Sequence, residues 1–410
     1  MKRILLVTHA GGSPRFGPNM RWYYLAQALA QFGVEVEIVS SSFFHKYTSL
    51  PHVTENGQTT FLDGIRYHWI KTRPYTGRGF RQVLNQIEFT LRATAVSRSL
   101  AERRPDIVVA SSPHPLVVFP AVAVAKRANA RFVYEVRDLW PELLLELGGF
   151  RKWHPYILLL KAAESYAVRR AERVLSVKPG DIYYFASEYA LPLERYSYIP
   201  NGFLAELDEH SAPSMILELR SRYRFIVGYV GAISAYYGLD RLICLAERFH
   251  GREDVGFVVV GKGNLLEGIR DAAKLKKLKH VHFVGAISKR EVAPTLACFD
   301  VCYLGLEDLA INRFGISCNK IYEYMHARKP IIASYRVGFD PVESARCGFV
   351  AAPGDYDTLA KGIESLATDQ ELATRMGERG KAYFDEHHDF SKVAGRLQAV
   401  LFPEVGIVGE

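Results

Sequence analysis

The stretch Phe225-Ile226-Val227-Gly228-Tyr229-Val230-Gly231 decides the fold. It is a short apolar run that ends in glycine, and a helix is expected over Leu239–Phe249. A strand that enters a glycine turn and then a helix opens a βαβ unit. Its position gives it weight, because a series of strands and helices already precedes it. Ile4–Thr8, Val34–Ser40, Asp106–Ala110, Arg131–Val136 and Val174–Val177 read as strands. Between them, Trp22–Phe32 places Trp22, Leu25, Ala26 and Leu29 at helical spacing before a capping Gly33, and Leu116–Arg127 is helical. After Gly231 the alternation starts again through Val255–Val260, His282–Val284, Val301–Leu304, Pro330–Ser334 and Phe349–Ala351, and Asp389–Leu401 reads as a terminal helix.

Strands alternating with helices predict an α/β protein with two doubly wound parallel-sheet domains. Residues 1–200 are expected to form the first and 203–388 the second, with the turn-forming Ile199-Pro200-Asn201-Gly202 as hinge. The helix and tail of 389–410 are expected to pack back toward the first domain. Ligands of such sheets sit beyond the carboxyl ends of the strands. Two of them facing each other would make an interdomain cleft.

Composition narrows the function. A chain of 410 residues, 49% hydrophobic, has the apolar surface for two cores. Cys244, Cys298, Cys302, Cys318 and Cys347 form neither a CxxC nor a paired zinc spacing, which argues against a disulfide framework and a structural metal. The longest apolar stretch, Leu116–Ala125, is about half of the ~20 residues a spanning helix needs. A cytoplasmic protein, soluble or peripheral on the inner face of the membrane, is expected. The net charge is +8, with about +10 on residues 1–200 and about −2 on the rest. No zinc finger, RNP aromatics or dense Lys/Arg tract points to nucleic acid. Within Arg73–Arg104, Arg78, Arg81, Arg92, Arg98, Arg103 and Arg104 alternate with Phe80, Leu84, Ile87, Phe89 and Leu91. That pattern fits a basic amphipathic helix or helix pair on an anionic bilayer, or a solvated face over an inward apolar stripe.

Five loops at predicted strand ends carry chemistry. After the first strand, Gly11-Gly12-Ser13-Pro14-Arg15-Phe16-Gly17-Pro18-Asn19-Met20-Arg21 combines glycines that admit an anion with Arg15 and Arg21, which pair with phosphate bidentately. Ser111-Ser112-Pro113-His114-Pro115 offers His114 as a base or acceptor contact, or as a structural histidine. Glu135-Val136-Arg137-Asp138-Leu139-Trp140-Pro141-Glu142 crowds four ionisable groups at a strand end, where a carboxylate could orient or deprotonate an acceptor hydroxyl, or an Arg–Asp pair could brace the loop. Glu135 and Trp140 are counted with His114 as acceptor contacts. Gly228–Ser234 opens the second half as Gly11-Gly12 opens the first. In Phe314–Met325, a helix would bring Asn319, Lys320 and Glu323 within one turn, with Lys320 at its positive end and Glu323 in place to accept from ribose hydroxyls.

These loops together resemble the retaining glycosyltransferases of the GT-B fold, of the large family 4. The resemblance covers essentially the whole chain and is strongest at Asn319–Ile332, at Ile199–Gly202, and at the double glycine followed by Leu-Ala-Gln-Ala-Leu-Ala. Glu135–Glu142 is similar to the O-antigen and capsule subgroup that includes N-acetylfucosaminyl transferases. The resemblance implies a second domain that binds a nucleotide-sugar donor, UDP-linked above all, and a first domain that binds a glycan or polyprenyl-diphosphate-linked acceptor. By position, Glu323 matches the second glutamate of the family's E-x7-E motif, which holds the ribose. Gly231 matches the phosphate-side glycine, and Gly11 and Gly12 the loop that closes over the donor. Arg137 and Asp138 stand where many members have a histidine near the reacting sugar.

The chain departs from the family at three points. Gly315 occupies the first glutamate of E-x7-E, the usual histidine is replaced, and the family's phosphate-binding Arg and Lys give way to Ala232, Ile233 and Tyr237. Lys320, with Arg15 or Arg21 or both, is therefore expected to neutralise the diphosphate, and Asp138 to orient the acceptor or act as base. The resemblance implies no metal and no cofactor, and the chain has no DxD in a suitable loop. A non-hydrolysing nucleotide-sugar epimerase and a catalytically silent binding partner are the alternatives of the same architecture.

Overall fold

The computed structural model describes residues 1–17, 19–77, 79–203 and 210–404. Arg78 and the tail beyond residue 404 lie outside the described residues. The chain divides into two compact units, Met1–Asn201 with Phe390–Glu410, and Gly202–Asp389.

In the first unit, strands β1 (Lys2–Thr8), β2 (Val34–Ser41), β3 (Gln58–Leu62), β4 (Ile65–Ile70), β5 (Ile107–Ser111), β6 (Arg131–Val136), β7 (Arg173–Ser176) and β8 (Tyr196–Tyr198) form one sheet. Their order is 3-4-2-1-5-6-7-8. All neighbours pair in parallel except the β3–β4 hairpin. Its turn is Asp63-Gly64, with both φ angles positive, the geometry that two-residue hairpin loops favour. Helices α1 (Arg21–Ala30), α2 (Phe80–Ala95), α3 (Ser97–Ala101), α4 (Val118–Ala128), α5 (Glu142–Leu147), α6 (Pro155–Arg170) and α7 (Asp181–Tyr189) complete the crossovers. β1 lies between β2 and β5, so the winding reverses there and opens a crevice at the carboxyl ends of β1 and β5.

The terminal helix Phe390–Leu401 belongs to this unit. Phe390, Val393, Ala394, Leu397 and Leu401 recur at helical spacing and are buried with Ile4, Leu6, Leu25 and Leu29. Tyr24 meets Phe390 with ring centroids 5.3 Å apart.

The second unit repeats the plan with β9 (Phe225–Val230), β10 (Val255–Val260), β11 (Val281–Gly285), β12 (Val301–Gly305), β13 (Ile331–Ser334) and β14 (Gly348–Ala351) in the order 11-10-9-12-13-14, all parallel. Its helices are α8 (Ser214–Arg222), α9 (Asp240–Glu247), α10 (Leu266–Leu275), α11 (Val292–Ala297), α12 (Asn319–His326), α13 (Pro341–Ala345), α14 (Tyr356–Thr368) and α15 (Gln370–His387). Here the winding reverses between β9 and β12. The turn after β9 begins at Gly231, and α12 is the helix that follows β12. β9 and β10 are buried along their whole lengths, as continuous apolar runs covered on both faces should be. Among the described residues no helix is long and apolar enough to cross a membrane.

One buried acid in the first unit marks a pH dependence. Glu164 on α6 is fully buried, and its Oε2 accepts from Tyr189 (2.6 Å) and Tyr184 (2.9 Å). Burial pushes its carboxyl up to about 8, against the two tyrosine hydrogen bonds. A carboxyl whose pKa is raised by folding holds its proton longer in the folded state. The fold therefore loses stability as the pH rises from the unfolded value toward 8. Glu164→Gln should leave the melting temperature at pH 4 nearly unchanged and raise it by a few degrees at pH 8. Thermal unfolding across that range checks the sign.

Candidate active site

At the carboxyl end of β9 the backbone turns at Gly231 with φ +146°, a conformation that side chains disfavour. Gly261, at the end of neighbouring β10, has φ +149°, and a Cβ there would lie 1.8 Å from Gly231 O. The Gly231 N–H donates to Val260 O at 2.9 Å. That hydrogen bond closes the turn and takes up the Gly231 amide. What the glycine supplies is space. A Cβ at 231 would lie 2.0 Å from Lys320 Cε, so the lysine side chain runs directly over this turn.

Lys320 stands in the first turn of α12 and is 8% exposed. Its Nζ lies 3.3 Å from the centroid of the Tyr237 ring and 5.6 Å from that of Tyr229. Among the described residues no carboxylate comes within ion-pair distance of it. Burial draws the ammonium below its usual range, and Cys318 and Glu323 oppose that fall. Cys318, at the N-cap, makes no side-chain cap, so the first-turn amides of α12 keep their donors unpaired by a cap. The buried Ser317 Oγ beside it has no hydrogen-bond partner among the described residues. Glu323 follows one turn on and is half-buried. Burial pushes its carboxyl up, while Lys320 and Lys289 pull it down. Asn319 is exposed. The structure thus gathers Gly231, Asn319, Lys320 and Glu323. It adds Tyr229, Tyr237 and Ser317, for which the sequence carried no spacing signal.

In the first unit several expected ligands have other duties. Arg21, the first residue of α1, donates from Nε to Glu135 Oε1 (3.0 Å), from Nη2 to Ile199 O (2.9 Å), and from Nη1 to Pro200 O and Asn201 Oδ1. Four of its five donors are engaged, so the phosphate role expected of Arg21 is corrected to a structural one. Glu135 is 0% exposed and also accepts from Trp22 Nε1 and Ser111 Oγ, both at 2.6 Å. Burial pushes this carboxyl up, but Arg21, Ser111 and Trp22 outweigh it and hold it low. It is a sealed carboxylate rather than the expected acceptor contact. His114 is 0% exposed, beside His9 at 4.9 Å between ring centroids. Burial drives its pKa well down, and among the described residues neither ring nitrogen has a partner. An acceptor has no access to it, which corrects that expectation too.

Gly11 is buried, and its N–H donates to Ser40 Oγ at 2.8 Å. A Cβ there would meet Ile38 at 2.9 Å, so this glycine serves packing against β2. The Gly12 carbonyl accepts from Tyr67. Arg15 is exposed, with its guanidinium 5.6 Å from the Phe16 ring and no carboxylate partner among the described residues. Arg137 donates its backbone N–H to Ser112 Oγ (2.9 Å) and its Nη2 to Asn19 Oδ1 (3.3 Å). Asp138 reaches solvent. The crowding around it pushes its carboxyl up, and Lys178, Arg137 and Lys46 pull it back. Trp140 is half-buried.

In the basic stretch, Phe89 is buried in the fold, Arg103 pairs with the buried Glu37 at 2.7 Å, and Arg92 pairs with Glu88 at 3.0 Å. Phe80, Leu84 and Leu91 of α2 are exposed. Among the described residues no group of three or more His, Cys, Asp or Glu is placed to hold a metal.

Two family comparisons cover most of the chain. Residues 16–202 match the family described as glycosyl transferase 4-like domain, and residues 218–383 match glycosyl transferases group 1. The chain is a GT-B glycosyltransferase. The glycosyltransferase is 22% identical over 298 residues to the probable glycosyltransferase WbjE of Pseudomonas aeruginosa, covering 70% of this chain and 72% of that one. Its fold is similar to that of sucrose-phosphate synthase from Thermosynechococcus elongatus, with TM-score 0.72 and 18% identity over 98% of this chain and 100% of that one. It is also similar to HepE from Anabaena, solved in complex with UDP and glucose, with TM-score 0.67 and 18% identity over 98% and 100% of the two chains.

Because Gly231 makes room for the Lys320 side chain, Gly231→Ala should displace it. On the scale of a misplaced catalytic group, kcat/KM should fall on the order of 100-fold, while the melting temperature falls by only a few degrees. Steady-state kinetics alongside thermal unfolding check both parts.

Proposed function

We propose that this glycosyltransferase is a retaining enzyme that needs no resident metal. It moves a sugar, an N-acetylated or deoxy hexose, from a UDP-linked donor to a glycan or polyprenyl-diphosphate-linked acceptor in surface polysaccharide synthesis. One observation carries the reading. Lys320 is a buried ammonium without a carboxylate partner among the described residues, set beside the uncapped first turn of α12 at the point where the second sheet reverses its winding. Such a place attracts a diphosphate. HepE, of similar fold, holds UDP. Glu323 would accept from the ribose hydroxyls, and Asn319 would line the same turn.

In the reaction the bond between the anomeric carbon and the β-phosphate oxygen breaks, and a bond from the acceptor oxygen to that carbon forms on the same face. The acceptor proton passes to the departing phosphate oxygen, giving the glycoside and the nucleoside diphosphate. Charge grows on the β-phosphate as the bond breaks. A preorganised ammonium in a poorly hydrated site acts most strongly there. Arg15, the free arginine of the first loop, is the second cation we assign to the diphosphate. Asp138 is assigned to orient the acceptor, with Arg137 beside it and Trp140 as an acceptor contact.

The enzyme is assigned to the cytoplasm, on the inner face of the membrane. There α2 would present Phe80, Leu84 and Leu91 with Arg81 to an anionic bilayer. Trp153, 70% exposed, precedes α6, and Tyr156 of α6 donates to Gln86 of α2 at 2.6 Å. That contact adds a second apolar element next to the first.

Lys320→Ala should weaken UDP binding by calorimetry on the order of 10- to 100-fold and depress turnover in parallel, whereas Asp138→Asn should keep UDP affinity and lower turnover by about 100-fold. Nucleotide release from a panel of sugar nucleotides should depend on added acceptor; release or sugar interconversion without acceptor contradicts a transferase. Vesicles containing phosphatidylglycerol should sediment the protein more than neutral vesicles do, and Phe80→Ser with Leu84→Ser should weaken this.

A further inference from the structure

The unusual feature of Lys320 is what it lacks. A lysine buried to this degree ordinarily pairs with a carboxylate, which restores the energy lost on leaving water. Such a pair has no net charge and little attraction for an incoming anion. Here the ammonium meets the face of an aromatic ring instead, 3.3 Å from the Tyr237 centroid, with the Tyr229 ring at 5.6 Å. A ring quadrupole attracts a cation without neutralising it. The ring itself is held in place. Tyr237 ends the short turn Ala235–Tyr237 and packs edge-on against Tyr236 (5.3 Å) and Tyr229 (6.4 Å), and the Tyr229 hydroxyl donates to Ala232 O at 2.6 Å. On the other side, the lysine arm is confined by Gly231.

We propose that Tyr237 is a positioning residue for donor binding: its ring face keeps the Lys320 ammonium charged, unpaired and fixed over the Gly231 turn, where it meets the diphosphate of the donor. Tyr237 acts through Lys320 and does not touch the reacting atoms. This inference rests on the assignment of Lys320 to the diphosphate, and its test separates the two.

UDP affinity is measured by calorimetry for the full chain, for Tyr237→Phe, for Tyr237→Leu, for Lys320→Ala, and for Tyr237→Leu combined with Lys320→Ala, with thermal unfolding of each as a folding control. Phenylalanine keeps the ring face, so Tyr237→Phe should bind UDP within about threefold of the parent. Leucine fills the space without a quadrupole, so Tyr237→Leu should weaken binding on the order of tenfold. In the Lys320→Ala background the leucine change should add nothing.

A pH series gives a readout that packing alone does not move. The charged and titratable groups facing the ammonium are Tyr237 and Tyr229 across from it, Cys318 and Glu323 along its own segment, and Lys289 beyond Glu323. With the ring gone, the alkaline loss of UDP affinity should set in about one pH unit lower. Equal weakening by Phe and Leu would assign the effect to the hydroxyl and overturn the proposal. A leucine effect that persists without Lys320 would also overturn it, since Tyr237 would then contact the ligand directly. If Lys320→Ala itself leaves UDP affinity unchanged, the assignment of Lys320 fails first. If Lys320→Ala weakens binding and Tyr237→Leu does not, only the role of Tyr237 falls.

Discussion

A cation taken out of water must be compensated, and the manner of compensation decides whether it serves structure or ligand. In the second unit the compensation is aromatic. Lys320 meets two tyrosine faces and, among the described residues, no carboxylate, so its charge is open to an anion. The backbone around it follows from that requirement. β9 and β10 end in glycines with left-handed φ because their turns press against each other, and Gly231 stays free of a side chain because the lysine arm passes over it.

The first unit solves the same problem the opposite way. Arg21 and Glu135 are both buried and pair at 3.0 Å. Trp22 and Ser111 satisfy the remaining carboxylate valence, while the other guanidinium donors hold Ile199, Pro200 and Asn201. This cluster has no net charge to offer a substrate. It ties the ends of β5 and β6 and the start of α1 to the segment where the first unit ends. The two arginines of the first loop therefore part company, with Arg21 sealed inside and Arg15 free outside.

Much of the fold is legible in the sequence because continuous apolar strands and amphipathic helices follow from burial on a parallel sheet. The restart at Phe225 shows the second domain. β3, β4 and β8 are not read as strands in the sequence: β4 is buried along most of its length, but Arg66 and His68 interrupt its apolar run. β3 alternates between half-buried and exposed residues, and β8 spans only Tyr196–Tyr198. The Asp63-Gly64 pair between β3 and β4 was a readable hairpin signal. At the site, the cluster on α12 is legible because its residues fall within one helical turn. Tyr237 and Tyr229 are not, since their value lies in the direction their rings face. Likewise Arg21, Glu135 and His114 carry the residue types of a catalytic loop, and only burial and hydrogen-bond counting assign them to structure.

If the ammonium over the Gly231 turn receives the diphosphate, crystals of the protein grown with UDP should show it. The β-phosphate is then expected within hydrogen-bond distance of Lys320 Nζ, with the ribose hydroxyls on Glu323. Nucleotide density elsewhere on the protein, with Lys320 still resting on Tyr237 and Glu323 untouched, would contradict it.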